Sequence, residues 1–168
     1  MLLPYPLEND PVTGIYTFTT DFNIIYNCRF SQINPSLFPL LSMYDIEVFE
    51  FEFYPNRQLP KGENKQDKRV SVTITSLYNL FFSSDLRILI YICASDGKEK
   101  LRSILFQRWY NEFVSNFLKN VPFKIDKEGS ILYGCIVLKN EFPHHELIEI
   151  GLSNIEDAFM EKYNDGDI

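Results

Sequence analysis

Ser95, Asp96, Gly97 and Lys98 occupy four consecutive positions, between the apolar run Leu89-Ile90-Tyr91-Ile92-Cys93 and a segment with helical spacing. A strand that turns into a helix through small, polar and basic residues is a place where an anion can be held. The first N–H groups of a helix have no partner within it, and the helix dipole is positive there. Ser95 offers a hydroxyl and Lys98 a charge, and Arg102 follows one turn later. Against this, a phosphate cradle needs several glycines and a Gly-Lys-Ser/Thr sequence so that backbone amides converge. This turn has one glycine, and Glu99 follows Lys98. Asp96 puts a carboxylate where a phosphate would sit, and aspartate is itself a preferred helix cap. The turn therefore reads first as architecture. Ser95, Asp96, Lys98 and Arg102 are the candidate ligand-binding residues, with Tyr91 or Tyr110 as companions.

Other reactive groups are sparse. Cys93 lies near a strand end, but no histidine or other base stands near it in sequence, and burial would raise its pKa. His144 and His145 are adjacent, so on a helix they point about 100° apart and cannot chelate one metal from a single face. With Glu141 and Glu146 beside them they read as the start of a helix, where Glu146 suits the positive end. Trp109 and Tyr110, with Lys98, Arg102 and Arg108 around them, have the composition of a binding hot spot. The competing reading puts Trp109 in a core stripe with Leu101 and Leu105. Nothing in the chain calls for a metal or a cofactor.

The elements that must position these groups follow from periodicity. Ile15–Phe30 reads as two strands broken by Asp21-Phe22-Asn23, a hairpin signal. The stretch holding Pro35 and Pro39 reads as a connection. Ile46, Val48, Phe49, Phe51 and Phe53 set against Glu47, Glu50 and Glu52 give nearly strict alternation from Glu50 to Phe53, the pattern of a strand with one face on the core and one in water. Polar residues 56–68 read as a mobile loop. Residues 69–83 fit both periods. A helix capped by Asp67 suits them better, because Leu86–Cys93 must be the next strand. A long, substantially buried helix is expected from Lys98 to Phe117, with Pro122 as its far limit. Residues 123–138 then form a second hairpin turning at Asp126–Gly129, and a last helix runs from about His145 to Tyr163. The expected fold is one α+β domain over residues 1–168, a sandwich of a largely antiparallel sheet with about three helices.

Composition narrows the function. The 168 residues are 45% hydrophobic, 23% charged and 15% aromatic, enough for one domain with a sizeable core. No apolar run approaches the roughly 20 residues that span a bilayer, and the first residues lack the pattern of a secretory signal. A net charge of −7 works against nucleic-acid binding, which draws on phosphate neutralisation. Three cysteines with no paired spacing point to reduced thiols and a cytoplasmic location.

The segment from Tyr91-Ile92-Cys93 through Ser95-Asp96, Lys100, Arg102, Phe106 and Trp109-Tyr110 resembles the central signature of a family of small bacterial proteins of unknown function. The early strands, including GIYTFTTDFNIIYNC, resemble it too. The resemblance implies a single-domain bacterial protein and carries over no catalytic residue, ligand or partner. The expected function is a cytoplasmic interaction or adaptor module without catalysis of its own, taking a protein partner or a second copy of itself. The alternative is a small-ligand-binding or enzymatic domain using the turn Ser95–Lys98 with Arg102.

Overall fold

The computed structural model describes residues 2–57, 67–83, 86–93, 99–113, 117–127 and 130–151, together with Ile155 and Phe159. Its centre is a seven-stranded sheet of order β1-β2-β3-β4-β5-β7-β6. The strands are β1 (Glu8–Asn9), β2 (Tyr16–Thr19), β3 (Ile25–Gln32), β4 (Glu47–Pro55), β5 (Arg87–Cys93), β6 (Leu118–Lys127) and β7 (Ser130–Lys139). All neighbours run antiparallel except β4 and β5, which are parallel in the register Glu47↔Arg87 to Glu50↔Ile90. A parallel pair needs a crossover, and helix α2 (Lys68–Phe81) lies between the two strands in sequence. The fold is α+β and dominated by its sheet. Two long helices, α2 and α3 (Glu99–Phe113), are accompanied by the short α1 (Pro39–Ser42) and α4 (His145–Gly151).

The first hairpin forms as its sequence suggests. Thr20 N–H donates to the Ile24 carbonyl at 2.9 Å, and Asn23 takes the left-handed conformation at φ 56°. Asparagine enters that region at low cost. The proline-rich connection carries two short helical pieces, a 3-10 turn at Pro35–Leu37 and α1 at Pro39–Ser42, with proline in the first turn of each. Proline is tolerated there because its missing N–H would have no partner anyway.

Helix α2 resolves the ambiguous stretch. Asp67 caps it, accepting from Arg69 N–H at 2.9 Å. Its β-branched and hydroxyl residues fit a helix because Ser71, Thr73, Thr75 and Ser76 return their hydroxyls to carbonyls three or four residues back. Val70, Ile74, Leu77, Tyr78 and Phe81 form the buried face.

Strand β4 departs from expectation. The alternating pattern predicts one wet face, yet Phe51 is 7% exposed on one side, and Val48 and Glu50 are 5% and 6% exposed on the other. Its central position and its parallel partner explain this, since helices cover both faces. Phe51, Leu89, Tyr91, Cys135 and Val137 pack beneath α2 and α3. Val48, Ile88, Ile90, Ile136 and Leu138 pack beneath α1 and α4. Each such side chain contributes roughly 1.5–3 kcal/mol of burial.

Pro122 does not end the long helix. Helix α3 is described as Glu99–Phe113, and Pro122 sits inside β6, which pairs with β7 alone at the sheet edge. An edge strand tolerates a residue with no N–H. The second hairpin is therefore longer than expected, running from Leu118↔Lys139 to Lys127↔Ser130. The last helix begins at His145 as expected, and Ile155 and Phe159 continue its buried face. Among the described residues no helix is long and apolar enough to cross a membrane.

Candidate functional site

Ser95, Asp96 and Lys98, and with them the question of an anion at that turn, lie outside the described residues. Most of the candidate mobile loop 56–68 does too. Arg102 is described and is half-buried on α3. The two tyrosines named with it, Tyr91 and Tyr110, come together in a recess between α2, α3 and the sheet.

Strand β4 supplies Phe51 and Phe53 to this recess, α2 supplies Tyr78, and α3 closes it with Phe106, Trp109 and Tyr110. The rings meet mostly edge to face: Tyr91–Phe106 at 5.2 Å, Phe53–Phe106 and Phe53–Trp109 each at 6.5 Å. Such pairs add about 0.5–1.5 kcal/mol each beyond burial. The free space amounts to about 40 Å³. That admits a few water molecules or the tip of a side chain, and falls well short of the ~150 Å³ cavity that takes benzene.

The recess carries no charge near neutrality. Burial raises the phenols of Tyr78, Tyr91 and Tyr110, and pushes the Cys135 thiol, in contact with Tyr91, up to about 12. The Tyr110 hydroxyl donates to the Leu118 carbonyl. Asn120, on β6, donates from Nδ2 to Gln107 Oε1 at 2.8 Å, while its buried Oδ1 has no partner among the described residues. Sequence reasoning missed Asn120 and Gln107, because nothing local marks a polar pair joined across 13 residues. The pairing of Leu118–Lys127 with Ser130–Lys139 was the signal that could have found them.

The outer side of α3 is the second part of the site. Of the expected stripe Leu101, Leu105 and Trp109, Trp109 packs on the core as expected and Leu101 does not. Phe106, Trp109 and Tyr110 pack against the core, whereas Leu101 and Ile104 are 66% and 51% exposed. The helix is apolar on both sides, so only one can face the sheet. On the outward side Lys100, Arg108 and Glu112 are exposed around the two apolar residues. At 100° per residue all five fall within about 120° of arc. Trp109 is thus a half-buried core residue rather than an exposed anchor.

The remaining reactive groups take structural places. Cys28, Cys93 and Cys135 are free and buried, as their apolar neighbours suggest. The His144 ring lies 5.2 Å from that of Tyr44, and His145 Nε2 is 3.1 Å from the Asn140 carbonyl oxygen. Among the described residues no three His, Cys, Asp or Glu side chains gather as a metal would require.

Comparison with known families follows from the same region. Residues 66–156 match the model described as "Family of unknown function (DUF6169)". The match covers more than half of the chain and takes in α2, β5, α3, β6, β7 and α4. The chain belongs to this family. No curated protein and no solved structure matches it.

Proposed function

We propose that this chain is a non-catalytic interaction module whose partner surface is the outer face of α3. One observation carries the reading: Leu101 and Ile104 stand in solvent on a helix whose other side is anchored in the core. Apolar residues grouped within a charged rim are the usual mark of a surface that another molecule covers. The recess behind the helix is nearly filled, and its titratable groups are held neutral, which supports scaffolding rather than chemistry. The sheet edges make poor docking strands. β1 has two residues, and β6 carries Pro122 with Lys119 and Lys124 exposed. A partner therefore meets a helix. Buried free thiols favour a reducing, cytoplasmic setting, and the net charge of −7 favours a protein partner over nucleic acid.

The alternative, a small-ligand-binding or enzymatic domain using Ser95–Lys98 with Arg102, draws support from Asn120 Oδ1, a buried acceptor facing the tyrosine-lined recess. The two readings separate by photocrosslinking in cells. A benzophenone amino acid placed at position 101 or 104 should give a discrete covalent protein adduct, and one at the exposed Glu141 should give none. Equal adducts at all three positions, or none on α3, would overturn the interaction reading.

A further inference from the structure

We infer that the partner of α3 is an acidic, apolar segment of another protein, its carboxylates meeting Lys100 and Arg108 on either side of Ile104. The inference rests on the interaction reading and adds the chemistry of the partner. Lys100, Ile104 and Arg108 are all exposed, each four residues from the next. A step of four turns the helix by about 40°, so the three form one row about 12 Å long, with Leu101 about 60° round from Ile104. Both cations are uncommitted. Arg69 and Arg87 are held by Asp21 and Glu47 at 3.0 and 3.1 Å, whereas among the described residues neither Lys100 nor Arg108 has an ion-pair partner.

The cations decide what can cover the apolar pair. Ile104 lies about 6 Å along the axis from each of them, so a molecule seated on it also passes over both charges. A neutral apolar surface would strip their water without replacing it, and a basic one would repel them. Carboxylates spaced to meet them turn the same contact into two ion pairs around an apolar centre, the arrangement of an interface core with a charged rim. Among the described residues of this face Glu112, one turn beyond Arg108, is the single carboxylate, so the rim is net positive on a chain of net charge −7. Charges elsewhere on the surface are screened over about 8 Å at physiological ionic strength. A short acidic segment therefore meets the local cations, while a nucleic acid or an anionic membrane extends over acidic surface and is repelled.

The experiment is photocrosslinking in cells from position 104 of the full chain, with the crosslinked peptide of the adduct sequenced by mass spectrometry. Around the crosslinked residue Asp and Glu should outnumber Lys and Arg, with apolar residues among them. Lys100→Glu/Arg108→Glu should cut the adduct about tenfold or more, because each reversal replaces an attraction by a repulsion. Lys100→Gln/Arg108→Gln should give a smaller loss, and Glu112→Lys, which adds a cation to the rim, should raise the adduct. All three sites are exposed, so the urea midpoint of each purified variant should stay at the wild-type value, which separates a lost contact from a lost fold. A neutral or basic crosslinked segment would overturn the inference. So would an adduct indifferent to the double reversal, or one formed with lipid or with a second copy of this chain. A discrete adduct with a neutral or basic segment of another protein removes only this inference. No adduct from positions 101 and 104 removes the interaction reading, and this inference with it.

Discussion

The Tyr5 hydroxyl donates to Asp67 Oδ2 at 2.6 Å, tying the amino-terminal segment to the cap of α2 across 62 positions of chain. The same hydroxyl accepts from Asp21 N–H at 3.2 Å, and Tyr5 N–H donates to Thr73 Oγ1 at 2.8 Å. Arg69 lies over the Tyr5 ring at 3.8 Å and donates to both Asp21 carboxylate oxygens. This network joins residues outside the family match to the first helix inside it.

Removing the hydroxyl should therefore be felt. Tyr5→Phe is expected to cost about 1–2 kcal/mol, the range for a hydrogen bond to a charged group that is partly exposed. Asp67→Ala should cost more, because the helix also loses its cap, typically ~1 kcal/mol. The double variant should cost less than the sum of the two. Urea unfolding of the three proteins measures this, and a neutral Tyr5→Phe would contradict it.

Alkaline pH should unfold the protein earlier than its acidic composition suggests. Burial, with the Asp67 carboxylate alongside, pushes Tyr5 up from 10.0 to about 12. Burial likewise moves Cys28 and Cys135 from 9.0 to about 12. A raised folded pKa means that the stabilisation is complete below the unfolded value and lost as pH rises towards the folded one. The unfolding midpoint should hold to about pH 9 and fall from there towards pH 12. Tyr5→Phe should flatten the part of the fall above pH 10. A midpoint constant to pH 12 would contradict the assignment.

The three thiols should be silent in the native state. All are free and buried, so a chromogenic disulfide reagent near pH 8 should find none within minutes and three after denaturation. Immediate reaction of any one would mean that the β-face beneath α2 and α3 is open.

Gly134 has no room for a side chain. The Phe123 ring crosses its Cα from the partner strand, where an added Cβ would meet the ring. Gly134→Ala should cost about 1–3 kcal/mol as overpacking. The cost should shrink in a Phe123→Leu background, because a smaller side chain leaves space. An equal cost in both backgrounds would place the effect in the backbone instead.

Much of this was legible in the sequence, and the failures have physical causes. The Tyr16–Phe30 hairpin and the Asp67 cap were visible because turn and cap residues act locally. The place of α3 is legible, and so is the burial of Phe106, Trp109 and Tyr110, but the periodicity also puts Leu101 and Ile104 on the buried face, although both are exposed. Leu101, Ile104, Leu105, Phe106 and Trp109 spread over about 200° of the helix, and periodicity cannot choose which part of so wide a face is covered. Alternation predicts a wet Glu50, yet it is buried, because alternation reports polarity and not whether a helix covers the polar side. Pro122 reads in sequence as a helix limit, since an edge strand that tolerates proline is known only from the sheet order. Asn120 meets Gln107 only through tertiary structure.

The central claim is that α3 has one side for the core and one for a partner. Alanine substitution at dilute protein, read by urea unfolding, tests it most directly. Phe106→Ala should cost about 2–4 kcal/mol as a core truncation. Leu101→Ala and Ile104→Ala should each stay within about 0.5 kcal/mol, as exposed positions do. A loss above about 1.5 kcal/mol at Leu101 or Ile104 would make them core residues of the single chain and leave α3 with no face to offer.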